Sequence, residues 1–86
     1  MGLAASIMSE GQLRWQCRRG MRELDQLLLS FLENEYPASG AAQKSAFREL
    51  LALPDPQLIG YLLGGQIPAD TQIANVISRI QNRADP

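Results

Sequence analysis

The run Cys17-Arg18-Arg19-Gly20-Met21-Arg22-Glu23-Leu24-Asp25 places three arginines, two acids and a glycine within nine residues. Guanidinium groups carry a planar fork of donors that matches a carboxylate bidentately, so the chemistry on offer is charge-assisted pairing. Glycine costs about 1 kcal/mol in a helix interior relative to alanine. Gly20 therefore reads as a left-handed C′ residue joining two helices. With no Cβ it also lets another backbone or a ligand come close. Arg14, Arg18, Arg19 and Arg22 fall on one basic edge, which is by default a solvated helix face and, functionally, a protein interface. Glu23 lies in the first turn of the second helix, where negative charge suits the dipole. It also follows Arg19 by four, so the two either pair across the turn or face a partner together. Asp25 shares that turn: turned inward it caps or bridges helices, turned outward it is surface.

Little else in the chain supports bond-making chemistry. There is no histidine and one cysteine among 86 residues. That removes the commonest general base, the commonest metal ligand and every zinc-ligand spacing. Cys17 reads as a small buried apolar residue; adjacent arginines would lower a thiol pKa, but the usual histidine activator is missing. No nucleophile–base pair and no phosphate-cradling glycine loop can be assembled. The expectation is no catalytic residue, no metal and no enzyme activity, leaving a binding module. Trp15, the one tryptophan, is expected in the core; exposed, it would be an interface hot-spot candidate. Tyr61 and Phe47 are expected in or at the edge of the core.

The formal net charge is −1 and the isoelectric point about 5.2. Both argue against general affinity for nucleic acid or anionic membranes. One cysteine makes no internal disulfide, which fits a reducing compartment, the cytoplasm. No apolar run reaches the ~18 residues of a membrane span, and the N-terminal GLAASIM lacks the basic region of a secretory signal.

The elements that must position the charged run follow from periodicity. Residues 1–8 read as a flexible tail. Ser9 with Gln12 makes a capping-box pattern for a first helix reaching about Arg18, with Leu13 and Cys17 on one face. Met21, Leu24, Leu27, Leu28, Phe31 and Leu32 form the stripe of a second helix, from about Met21 to Tyr36, stopped by Pro37. Ser39-Gly40 opens a third, with Ala42, Ala46, Phe47, Leu50 and Leu51 on one side. Asp55-Pro56 reads as N-cap and first turn of a fourth, carrying Leu58, Ile59, Leu62 and Leu63 and ended by Gly64-Gly65. Pro68 and Asp70 open the last, with Ile73, Val76, Ile77 and Ile80 buried and Arg79 and Arg83 suiting its C-terminal dipole. No period-two segment occurs. The expectation is an all-α, single-domain bundle of five short helices over residues 9–83, with a C-terminal tail at 84–86.

The run resembles a known family, the bacterial succinate dehydrogenase flavinylation factors (SdhE, also called YgfY). The R-G-x-x-E hallmark stands here as Arg19-Gly20-Met21-Arg22-Glu23. The resemblance extends to Leu13-Arg14-Trp15, Phe47-Arg48-Glu49-Leu50-Leu51, Leu53-Pro54-Asp55-Pro56-Gln57-Leu58 and Tyr61-Leu62-Leu63-Gly64, spanning about residues 12–65. Tyr61 stands where the family commonly has tryptophan. The resemblance implies a five-helix, chaperone-like assembly factor that binds the flavoprotein subunit of succinate dehydrogenase, and of fumarate reductase as a second client. It implies promotion of covalent FAD attachment to a client histidine, with no cofactor held stably by the factor itself. It carries over Arg19, Gly20 and Glu23 as the docking motif, with Arg22 and Asp25 as neighbours. The expected free state is a monomer without nucleic acid or membrane insertion. The same family has also been described as an antitoxin, CptB, which implies a toxin partner and no flavin effect.

Overall fold

The computed structural model describes residues 9–84. Among them lie five α-helices and no strand: α1 Glu10–Gln16, α2 Arg22–Asn34, α3 Ala41–Leu51, α4 Asp55–Leu62 and α5 Thr71–Ala84, with a 3-10 turn at Tyr36–Ala38. The expected all-α bundle is what forms. The N-terminal tail and residues 85–86 fall outside the described residues.

Local chemistry explains most boundaries. Ser9 and Gln12 complete the capping box: the Ser9 N–H donates to Gln12 Oε1 at 2.9 Å and the Gln12 N–H to Ser9 Oγ at 3.1 Å. Asp70 caps α5, its carboxylate accepting from the Gln72 and Ile73 N–H groups. At α4 the expectation fails by one residue. Pro54 is the N-cap and Asp55 is already the first helical residue. Asp55 is thereby freed from capping, and its carboxylate goes elsewhere.

Leu24, Leu28, Phe31 and Leu32 turn one face of α2 inward, against the Phe47, Leu50 and Leu51 face of α3 and the Val76, Ile77 and Ile80 face of α5. α5 packs on both α2 and α3. Each fully buried leucine or phenylalanine contributes ~1.5–3 kcal/mol. At the centre, the Phe31 and Phe47 rings lie 4.9 Å apart and tilted, and Tyr36 packs on Phe47 at 5.5 Å.

Five apolar assignments differ. Met21 is the N-cap of α2, not part of its stripe, and is 37% exposed. Leu63 lies past the end of α4 and is exposed. Ala42 is exposed on the first turn of α3. Ile59 and Ile73 are partly buried, packed against the core rather than within it. Arg79 does not serve the α5 dipole. It reaches across to Glu35 at 2.6 Å, bonds Gln43 Oε1, and lies over the Phe31 ring, strapping α5 to α2 and α3.

Candidate functional site

The corner between α1 and α2 is built from both sides. Helix α1 ends at its C-cap Cys17, and the Arg18 N–H closes on the Trp15 carbonyl at 3.0 Å. Gly20 has φ of +83°, the left-handed region. It sits three residues past the C-cap, so it is a link residue rather than the expected C′ position. No atom lies within 4 Å of a Cβ placed on it. Its glycine identity is therefore demanded by backbone angle, not by crowding. Met21 follows in extended conformation and gives α2 no side-chain cap.

Asp25 turns inward. Its carboxylate accepts from the Arg19 backbone N–H at 2.7 Å, fixing the link from the α2 side. Arg19 does not pair with Glu23. Its Nη1 meets the Asp55 carboxylate at 3.1 Å, and its side chain is 14% exposed. Arg14 pairs with Glu33 at 2.5 Å across α1 and α2. Both partners are well exposed, so this pair is worth at most about 1 kcal/mol.

Part of the charged run remains outward. Arg18, Gly20, Arg22 and Glu23 are exposed. Among the described residues, the side chains of Arg18, Arg22 and Glu23 make no hydrogen bond or ion pair. Trp15 joins them and reverses the core expectation, being 73% exposed beside an open groove shared with Ser9, Gly11, Gln12 and Gln16. The signal was available in the sequence. At 3.6 residues per turn, Cys17 lies about 40° from Leu13 around α1, whereas Trp15 lies about 200° away. An indole cannot follow Leu13 and Cys17 inward on so short a helix. The outward set thus combines two unpaired cations, one unpaired anion, an aromatic ring and a bare glycine. Aromatic and arginine side chains are types enriched at protein interfaces.

Cys17 lies under this surface, fully buried. Burial pushes its thiol up to about 12, against a partial opposing pull from Arg19 and Arg14. The native thiol is therefore expected to resist iodoacetamide at pH 8 and to react on denaturation; rapid native labelling would show that the corner opens. The folded form keeps a proton that the unfolded chain releases near its ordinary value of 9.0. The Cys17 contribution to stability accordingly falls as pH rises from about 9 toward 12, because only the unfolded state ionises there. Among the described residues no group of three or more His, Cys, Asp or Glu could hold a metal ion, and no helix is long and apolar enough to cross a membrane.

Fold and surface together define a small helical module with an exposed, charge-bearing corner between α1 and α2. The chain belongs to the family described as the flavinator of succinate dehydrogenase, whose model matches residues 11–84. It is similar to the FAD assembly factor SdhE of Pectobacterium atrosepticum, 39% identical over 77 residues, covering 90% of this chain and 88% of the relative. The FAD assembly factor SdhE of Shewanella oneidensis is 35% identical over 80 residues, covering 93% and 98%. That of Yersinia pseudotuberculosis is 38% identical over 77 residues, covering 90% and 88%. The antitoxin reading finds no support in these descriptions.

Proposed function

We propose that this protein is an assembly factor that docks on the flavoprotein subunit of succinate dehydrogenase and promotes covalent attachment of FAD to it. The observation that carries this reading is the match of residues 11–84 to the flavinator family. The α1–α2 corner supports it physically. Gly20 leaves room for a client backbone, while Arg18, Arg22 and Glu23 offer charges that a client surface can pair. Trp15 offers an apolar anchor beside them. Charge complementarity of this kind fixes register and orientation more than it adds raw affinity.

The chemistry then belongs to the client. By gripping one face, the factor holds the subunit in an arrangement where the client histidine meets the flavin ring. Fixing two reactants in attack geometry removes much of the entropic barrier to a slow self-reaction. FAD stays with the client throughout, and the factor departs when attachment is complete. Fumarate reductase, as a second client, is tested by the same assay with its own flavoprotein subunit.

The test is covalent flavin fluorescence of the denatured flavoprotein subunit, made with no factor, with this protein, and with Glu23→Ala or Trp15→Ala. Wild type should raise covalent flavin well above the factor-free level. Both variants should fall back toward it while keeping wild-type helicity and melting, since each residue is exposed. Truncating an interface hot spot costs ~2 kcal/mol or more, about 30-fold in affinity. A wild-type protein with no effect on a competent subunit would overturn the proposal.

A further inference from the structure

The first letter of the R-G-x-x-E run does not face outward. Arg19 Nε donates to the Gln16 carbonyl at 2.8 Å. Nη1 donates to the Leu53 carbonyl at 3.3 Å and to Asp55 Oδ1 at 3.1 Å. Nη2 donates to the Leu51 carbonyl. Three of these acceptors lie where α3 passes into α4, on the last residue of α3, in the turn and on the first residue of α4, more than 30 residues away in sequence (separations of 34, 36 and 32). The last carbonyls of a helix have no intrahelical partner, so Leu51 at the end of α3 is a ready acceptor. Asp55 supplies the one negative charge, available because Pro54 took the N-cap position. A planar fork can span such a divergent set, whereas an ammonium, a point charge, cannot.

The link between α1 and α2 therefore has two fastenings, and both act on Arg19. Asp25 holds its backbone N–H at 2.7 Å, and the α3–α4 turn holds its guanidinium. Arg18 on one side and Gly20 on the other are exposed. We infer that Arg19 is a positioning residue for client docking, acting through Asp55, and that the α3–α4 turn is part of the docking machinery without facing the client. This rests on the docking reading above. The physical role is preorganisation. With the link fixed, Arg18, Gly20, Arg22 and Glu23 already stand in their docked relation. With the guanidinium released, that order has to be imposed at binding, and affinity falls.

The experiment is a double-mutant cycle on affinity for the flavoprotein subunit, using wild type, Arg19→Lys, Asp55→Ala and the double variant. Asp70→Ala, which removes the cap of α5 and none of the Arg19 contacts, controls for general loss of stability. Amide exchange at Arg19 is followed in the free proteins. Each single variant should weaken binding about tenfold, and the double also about tenfold rather than a hundredfold, because the two act as one unit. Exchange at the Arg19 N–H, which Asp25 holds, should accelerate in both single variants and stay unchanged in Asp70→Ala. Multiplicative losses would mean that Arg19 meets the client independently, and an Asp55→Ala protein that binds normally would equally overturn the inference. If wild type does not bind the flavoprotein subunit at all, the docking reading fails by itself. Exchange then decides the positioning role alone: acceleration confined to the link supports it, and unchanged exchange refutes it.

Discussion

Gly20→Arg is expected to leave the bundle folded and abolish covalent flavinylation. The two halves of that expectation have separate physical grounds. Gly20 sits at φ +83°, and a residue with a Cβ held there costs ~1–2 kcal/mol. Nothing lies within 4 Å of the added Cβ, so no steric term is added. A domain of this length has on the order of 4–13 kcal/mol in reserve, and the variant should keep its helicity. The outward face fares differently. A long cation would stand at its centre, between Arg18 and Arg22, where a client backbone is proposed to approach. It would hold that backbone off and leave the other contacts unmade. Gly20→Ala separates the effects, since it has the same backbone cost and only a methyl group to accommodate. Covalent flavin should fall to the factor-free level for arginine and retain a measurable part for alanine. A folded Gly20→Arg protein with wild-type activity would remove this corner from the docking face.

Phe47→Ala should produce the largest loss of stability. The side chain is fully buried and meets Phe31 at 4.9 Å and Tyr36 at 5.5 Å. It joins the α3 face to α2 and to the 3-10 turn. Phenylalanine-to-alanine changes at such sites cost ~3–5 kcal/mol, combining lost transfer energy with an unfilled cavity. In a domain of this size that corresponds to a fall in melting temperature of roughly 12–40 °C. Thermal unfolding followed by far-ultraviolet circular dichroism measures it directly. A fall of only a few degrees would mean that the helices close over the gap and that the aromatic cluster is not a keystone. The contrast with Trp15 is instructive. The larger ring is exposed, so its loss should move binding and leave melting alone.

Much of this molecule was legible in its residues. Five helices, the Ser9–Gln12 capping box, the Asp70 cap and most of the buried stripe follow from spacing and cap chemistry, because those are local interactions within a few residues. The exposure of Trp15 was also legible, through its angle from Leu13 and Cys17, although the core was the place expected for it. Small misplacements, such as Met21 in the stripe or Asp55 at the N-cap, are shifts of one position at helix starts. Helix ends are the least sharply set part of an element, and neither Met21 nor Pro54 makes a side-chain cap bond that would fix the start.

The direction in which each charge of the motif points is a different matter. The sequence by itself placed Arg19, Gly20, Arg22, Glu23 and Asp25 at one helix junction and made that junction the candidate site. Only the tertiary structure sent the Arg19 guanidinium inward to Asp55, turned Asp25 onto the Arg19 N–H, and left Arg22 and Glu23 unpaired at the surface. A helix is decided by neighbours three and four residues away. The partner of a long charged side chain is decided by whichever carbonyls and carboxylates the packing of distant helices brings within hydrogen-bond reach, and α5, packed on both α2 and α3, holds the Arg19 link against the end of α3 where Leu51, Leu53 and Asp55 accept from it.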